Sequence, residues 1–142
     1  MNIDILKLLF DFGLFVLIWL VQLVVYPSFS YYQKKDLLQW HKKYTLRISY
    51  IVIPLMLGQL ILSVIQNIRM FTILNVLSLS LILIICLSTF LQFVPLHHKI
   101  SSNNFNYKTL KGLVQRNWFR TILWTLVCVL DCIHLSFIPF RL

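Results

Sequence analysis

The chain has 142 residues, 59% of them hydrophobic and 12% charged, with 13 Lys and Arg against 4 acids and a formal net charge of +9. A soluble domain is about half apolar and about a quarter charged, so this composition excludes a disordered chain and argues against a soluble one. The length allows a single domain. What remains is one small integral membrane unit, with its positive charge on loops beside an anionic leaflet.

A spanning helix needs about 20 mostly apolar residues. Four stretches meet this: 5–26, 48–66, 71–94 and 121–138. They predict an all-α, four-helix transmembrane bundle occupying residues 1–142 as one domain. None alternates with period two, as a membrane barrel strand would. The first stretch is interrupted by Lys7 and Asp11 and lacks a small-residue cleavage site, so it reads as an uncleaved span. Pro27 and Pro95 mark the expected ends of the first and third helices, and Pro139 follows the fourth. Pro54 falls inside the second, with Gly58 one turn on, and predicts a kink.

The segments between the first two and the last two spans carry Lys34, Lys35, Lys42, Lys43, Arg47, Lys99, Lys108, Lys111, Arg116 and Arg120; the other side carries Lys7, Arg69 and Arg141. Under the positive-inside rule the basic side is cytoplasmic and both termini are extracytoplasmic, which suits a bacterial inner membrane. Lipid headgroups are then a simpler partner for these loops than nucleic acid. Cys86, Cys128 and Cys132 fall within spans, which gives no disulfide framework. The run Gln22-Leu-Val-Val-Tyr-Pro27 is echoed by Gln92-Phe-Val-Pro95. Each precedes a basic loop with aromatics and histidine, and each loop leads to an arginine, Arg47 or Arg120. This pattern resembles two parallel helical hairpins.

Polar residues in spans are expected to face the bundle interior. Asp11, Phe15, Ile18, Gln22 and Tyr26 share one face of the first helix. Arg47, Tyr50, Pro54 and Gly58 line up on the second, and Asn117, Arg120, Trp124, Cys128 and Asp131 on the fourth. Asn75, Ser78, Ser88 and Gln92 are the polar members of the third. The cytoplasmic end gathers Gln22, Tyr26, Trp40, His41, Tyr44, Arg47, Tyr50, Gln92, His97, His98, Asn117, Trp118, Arg120 and Trp124. Arginines without protein carboxylates suit an anionic or carbonyl-bearing ligand, and the aromatics suit a flat one arriving from the bilayer. The bland reading is that the arginines snorkel to lipid phosphates and the aromatics form an interfacial belt. At the outer end, Asp131 and His134 are three apart on one face, and Asp11 could join them as a polar clasp, a proton relay or a metal site.

His41 and His97 could hold haem or copper if the loops fold together, which leaves the cofactor unknown. Glycine-rich phosphate loops, nucleophile elbows and paired carboxylates at the basic end are all absent from the sequence.

Gln92-Phe-Val-Pro-Leu-His97, then Leu113-Val-Gln-Arg-Asn-Trp-Phe-Arg-Thr121 and Trp124-Thr125, resemble a pattern in small four-helix bacterial membrane proteins of unassigned function. That group is in turn similar to the anthrone-oxygenase-like family. The resemblance covers about 35 residues of the second half and extends faintly to Trp40-His41 and Pro54. It implies an oxidoreductase acting on a flat lipophilic substrate, and it points to Gln92, His97, Asn117, Trp118 and Arg120. The family's basic residue after the Trp-Thr pair is missing, since Val127 and its neighbours are apolar. A fainter likeness, over residues 19–26 and 44–56, is to the four-helix membrane protoporphyrinogen oxidases. Their Asn-Glu-x-Pro motif and first-helix histidine are absent.

Two functions follow as expectations. In the first, Arg47 and Arg120 polarise a ligand oxygen, His41 or His97 moves a proton, and Gln22, Tyr50, Gln92, Asn117, Trp118 and Trp124 bind the ligand. In the second, the protein is a non-catalytic scaffold, a lipid-binding protein or a small subunit of a larger membrane complex. Whether it is an enzyme, and whether it forms an oligomer, stays open at this level.

Overall fold

The computed structural model describes residues 3–137. These form four helices, each long and apolar enough to cross a membrane: α1 (Ile3–Tyr31), α2 (Lys34–Arg69), α3 (Ile73–Ser101) and α4 (Tyr107–Phe137). Pro139 and Arg141 lie outside the described residues. α1 packs on α2 and α4, and α3 packs on α2 and α4, so the helices close into a ring of neighbours.

All four helices run further than their apolar stretches. α2 begins at Lys34, fourteen residues before the predicted span, and only Tyr32 and Gln33 separate it from α1. The segment expected to be a basic loop is amphipathic. Leu37, His41 and Tyr44 are buried at helical spacing, while the lysines between them face out. α4 is extended in the same way by Leu110, Leu113 and Asn117. Each extension buries one narrow stripe and leaves its lysines exposed.

Pro27 and Pro95 do not end their helices. Each is preceded by one π turn, 21–25 in α1 and 89–93 in α3. The backbone N–H of Tyr26 bonds to the carbonyl of Val21, five residues back, and that of Val94 bonds to Thr89. A proline ring cannot donate and crowds the carbonyl four residues before it. The wider turn admits the ring and lets the chain continue helically, as π turns often do near functional positions. α2 continues through Pro54 as one helix.

The π turns also correct the sequence echo. When the two prolines are superposed, Gln22 stands five residues before its proline and Gln92 only three. Accordingly Gln22 is buried and Gln92 is exposed, with Phe93 turned inward instead. The equivalent features of the two hairpins are the π turns and their prolines.

The interior has three layers. Leu14, Ile18, Met56, Ile82, Ile85, Leu123 and Val127 fill the middle. An aromatic and aliphatic cluster built on Phe29, Tyr26, Tyr44, Phe93 and Leu113 fills the basic end. The opposite end is polar.

Candidate functional site

Phe29, fully buried, anchors the basic end. The rings of His41 and Tyr44 meet it edge-on, both at 5.6 Å between centroids. α2 presents these two side chains because they sit three apart on its buried stripe. α3 brings His97 to them one turn after its π segment. A chain of hydrogen bonds results. Tyr26 Oη lies 3.0 Å from His97 Nε2, His97 Nδ1 lies 2.8 Å from His41 Nε2, and His41 Nδ1 lies 3.0 Å from Ser101 Oγ. Three helices contribute to it.

Arg120, from α4, lies beside this chain and is only 6% exposed. Its guanidinium sits over the Phe93 ring at 4.1 Å and the Trp124 ring at 5.1 Å. Cation–π contact, about 2 kcal/mol where the pair is desolvated, offsets part of the cost of burying a cation. No acidic group lies within ion-pair distance of Arg120 among the described residues, and its Nε has no hydrogen-bond partner. Beside it, Asn117 Nδ2 donates to Gln22 Oε1 at 2.8 Å, and Gln22 Nε2 donates to the Val114 carbonyl at 3.3 Å.

These groups cap a cleft of about 310 Å³. α2 and α3 pack together toward both ends but make few contacts around the α3 π turn, and the cleft opens there. Val52, Ile53, Met56, Phe90 and Ile18 make its walls apolar. Tyr26, Tyr44, His97 and Arg120 supply its polar end. An apolar trough with a few convergent polar groups is the usual form of a small-molecule site.

The sequence-predicted residues divide sharply. Gln22, His41, His97, Asn117, Arg120 and Trp124 gather around the cleft or directly behind it. Arg47, Tyr50, Gln92 and Trp118 do not, since all four are exposed on the outer surface of the bundle, Tyr50 at 70%. The stripe of Arg47, Tyr50 and Pro54 is the outward face of α2. Near the membrane surface a long or amphipathic side chain reaches headgroups, so polarity there does not imply an inward direction. Trp118 packs edge-on against Trp19 at 5.7 Å.

His41 and His97 stack on each other at 5.1 Å between centroids, and both nitrogens of each ring are engaged within the chain. Neither offers a free nitrogen to haem or copper. No group of three or more metal-ligating side chains forms among the described residues.

The opposite end holds a second cluster. Lys7, 1% exposed, donates to Asp11 Oδ2 at 2.8 Å, to Ser78 Oγ at 3.1 Å and to Asp131 Oδ2. Gln59 Nε2 donates to Asp11 Oδ1 at 2.6 Å, and Trp124 Nε1 donates to Gln59 Oε1 at 3.3 Å. Asp11 and Asp131 thus meet, as the outer clasp anticipated, but Lys7 joins them. His134 faces Asp4 at 3.9 Å rather than Asp131. Lys7 is an interior ion and not a surface charge of its end. Lys7, Gln59 and Ser101 join these clusters without having been expected from the sequence. A four-residue spacing to Asp11 could have flagged Lys7, and the series Met56, Gln59, Ser63, Gln66 could have flagged the buried stripe of α2.

Trp124 joins the two ends, with its indole N–H held by Gln59 and its ring against the Arg120 guanidinium. Fold and interior together define a four-helix membrane-spanning protein with an open cleft between α2 and α3. Comparison with family models, with curated proteins and with solved structures finds no match to the chain.

Proposed function

We propose that the protein binds a flat lipophilic molecule bearing an anionic or carbonyl oxygen, which enters the cleft between α2 and α3 from the bilayer. One observation carries this reading: Arg120 is buried at the head of an apolar cleft without a carboxylate partner. An unpaired buried charge is costly, and a ligand oxygen would offset that cost with charge-assisted hydrogen bonds. The stacked His41–His97 pair gives the same site a group able to move a proton. The resemblance to the anthrone-oxygenase-like family extends the proposal to oxidation of such a ligand in a bacterial inner membrane, with the basic end cytoplasmic.

The test is purification in mild detergent, followed by solvent extraction and mass spectrometry. The wild-type protein is expected to carry one class of lipophile in near-stoichiometric amount. Val52→Trp, which fills the trough, is expected to lose it without loss of helicity. If both carry the same mixed bilayer lipids, the ligand site is wrong and a non-catalytic scaffold takes its place. Incubation with an anthrone-type polycycle, followed by absorbance, tests the oxidation separately.

A further inference from the structure

The cleft joins a buried cation, with no carboxylate partner among the described residues, to a hydrogen-bonded chain that leads away from it. We propose that its ligand is a lipophilic weak acid, an apolar body carrying one phenolic or carboxylic O–H, which the protein ionises. Arg120 holds the resulting oxyanion, and the proton leaves along Tyr26, His97, His41 and Ser101. This rests on the reading of the cleft as a ligand site.

The charge balance is the first support. The ionisable groups around Arg120 are Tyr26 from α1, Tyr44 from α2, and Cys86 and His97 from α3, and none is a carboxylate. Asp11 and Asp131 are held by Lys7 at the opposite end, and Asp36 is exposed on the first turn of α2. A neutral apolar ligand would leave Arg120 uncompensated.

The chemistry of the chain is the second support. A tyrosine hydroxyl, two imidazoles and a serine hydroxyl can each donate and accept, so each can pass a proton on while receiving another. The links are 3.0, 2.8 and 3.0 Å. Toward the opposite end the path meets Gln59 and Trp124, whose amide and indole N–H hold position but do not exchange protons in this way. Away from the cleft, the chain ends at half-buried Ser101, beside the loop at 102–106. Third, Tyr26, His97 and Arg120 line the same cleft, so the proton acceptor and the oxyanion partner act on one ligand oxygen.

The step balances without an oxidant. The ligand O–H proton passes to Tyr26 Oη as the proton of Tyr26 passes to His97 Nε2. The Nδ1 proton of His97 passes to His41 Nε2, and the Nδ1 proton of His41 passes to Ser101 Oγ. Ser101 releases its own proton to water. One O–H bond breaks, and its electron pair stays on the oxygen beside Arg120.

The full chain in mild detergent is mixed with an octyl-substituted nitrophenol, whose phenolate is yellow, at a pH where the phenol in empty micelles is colourless. Its methyl ether is the neutral control. Yellow bound probe, with the ether at least roughly tenfold weaker, is the expected result, given the strength of hydrogen bonds to charged groups. Arg120→Gln should lose the colour. In stopped flow, His97→Gln and His41→Gln should slow the appearance of phenolate, with added imidazole restoring His97→Gln. A probe that binds colourless and as tightly as its ether overturns the proposal and leaves the ligand site standing. Failure of both probe and ether to bind overturns the cleft as a ligand site as well. Phenolate that appears equally fast in the histidine variants, with ether binding intact, overturns the relay.

Discussion

At the scale of single residues, two buried cations behave in opposite ways. Lys7 is held by two carboxylates and a serine hydroxyl, so its burial is compensated. Removing one member of such a group strands the remaining charges at about 3–5 kcal/mol. Lys7→Met is therefore expected to lower stability by that amount in thermal unfolding in detergent. Lys7→Met combined with Asp11→Asn and Asp131→Asn should recover much of the loss. Unchanged stability in the single variant would show that the cluster is not an ion group. Arg120 has aromatic faces and the Tyr26 hydroxyl against it but no carboxylate within ion-pair distance among the described residues. Arg120→Met should raise the stability of the ligand-free protein by roughly 1–2 kcal/mol, the lower part of what apolar replacement of buried ions returns. A fall in Tm would mean that Arg120 is structurally paired.

At the scale of elements, the bundle depends on a close approach of α1 and α2. A Cβ at Gly58 would run into the ring of Phe10, so the glycine lets the two helices meet there. Gly58→Ala should cost about 1–3 kcal/mol through overpacking. Phe10→Leu should relieve part of it, and a double-mutant cycle measured by thermal unfolding checks the coupling. The helix type and number were legible from apolar length alone. The sequence placed the ends of α1 and α3 at their prolines, whereas a π turn before each carries the helix past it. No residue pattern marks a π turn, because it is a local rearrangement of hydrogen bonds around a ring. The basic segments look like loops in the sequence because charge hides an amphipathic stripe of one residue per turn.

At the scale of the whole molecule, charge sets the expected orientation. With the basic end in the cytoplasm, Ser102→Cys should react with a membrane-impermeant maleimide only after spheroplasts are opened. A Cys86→Ser, Cys128→Ser, Cys132→Ser background removes the native thiols, which are all free. Labelling of intact spheroplasts would invert the topology and move the proton exit to the other side.

Several features were fixed by the residues themselves. The membrane class, the four helices, and the inward faces of α1 and α4 all follow from composition and 3.6-residue spacing, which are local properties. Gln22, Asn117, Arg120 and Trp124 could be chosen on that basis. Four things were decided only by tertiary structure. These were the pairing of His41 with His97, the arrival of Lys7 between Asp11 and Asp131, the outward turn of Arg47, Tyr50 and Gln92, and the cleft itself. The physical reason is the same in each case. Spacing says which residues share a face of one helix. Which face meets a neighbour depends on how four helices rotate and shift together, and here a π turn in α1 and another in α3 alter that rotation within the helix.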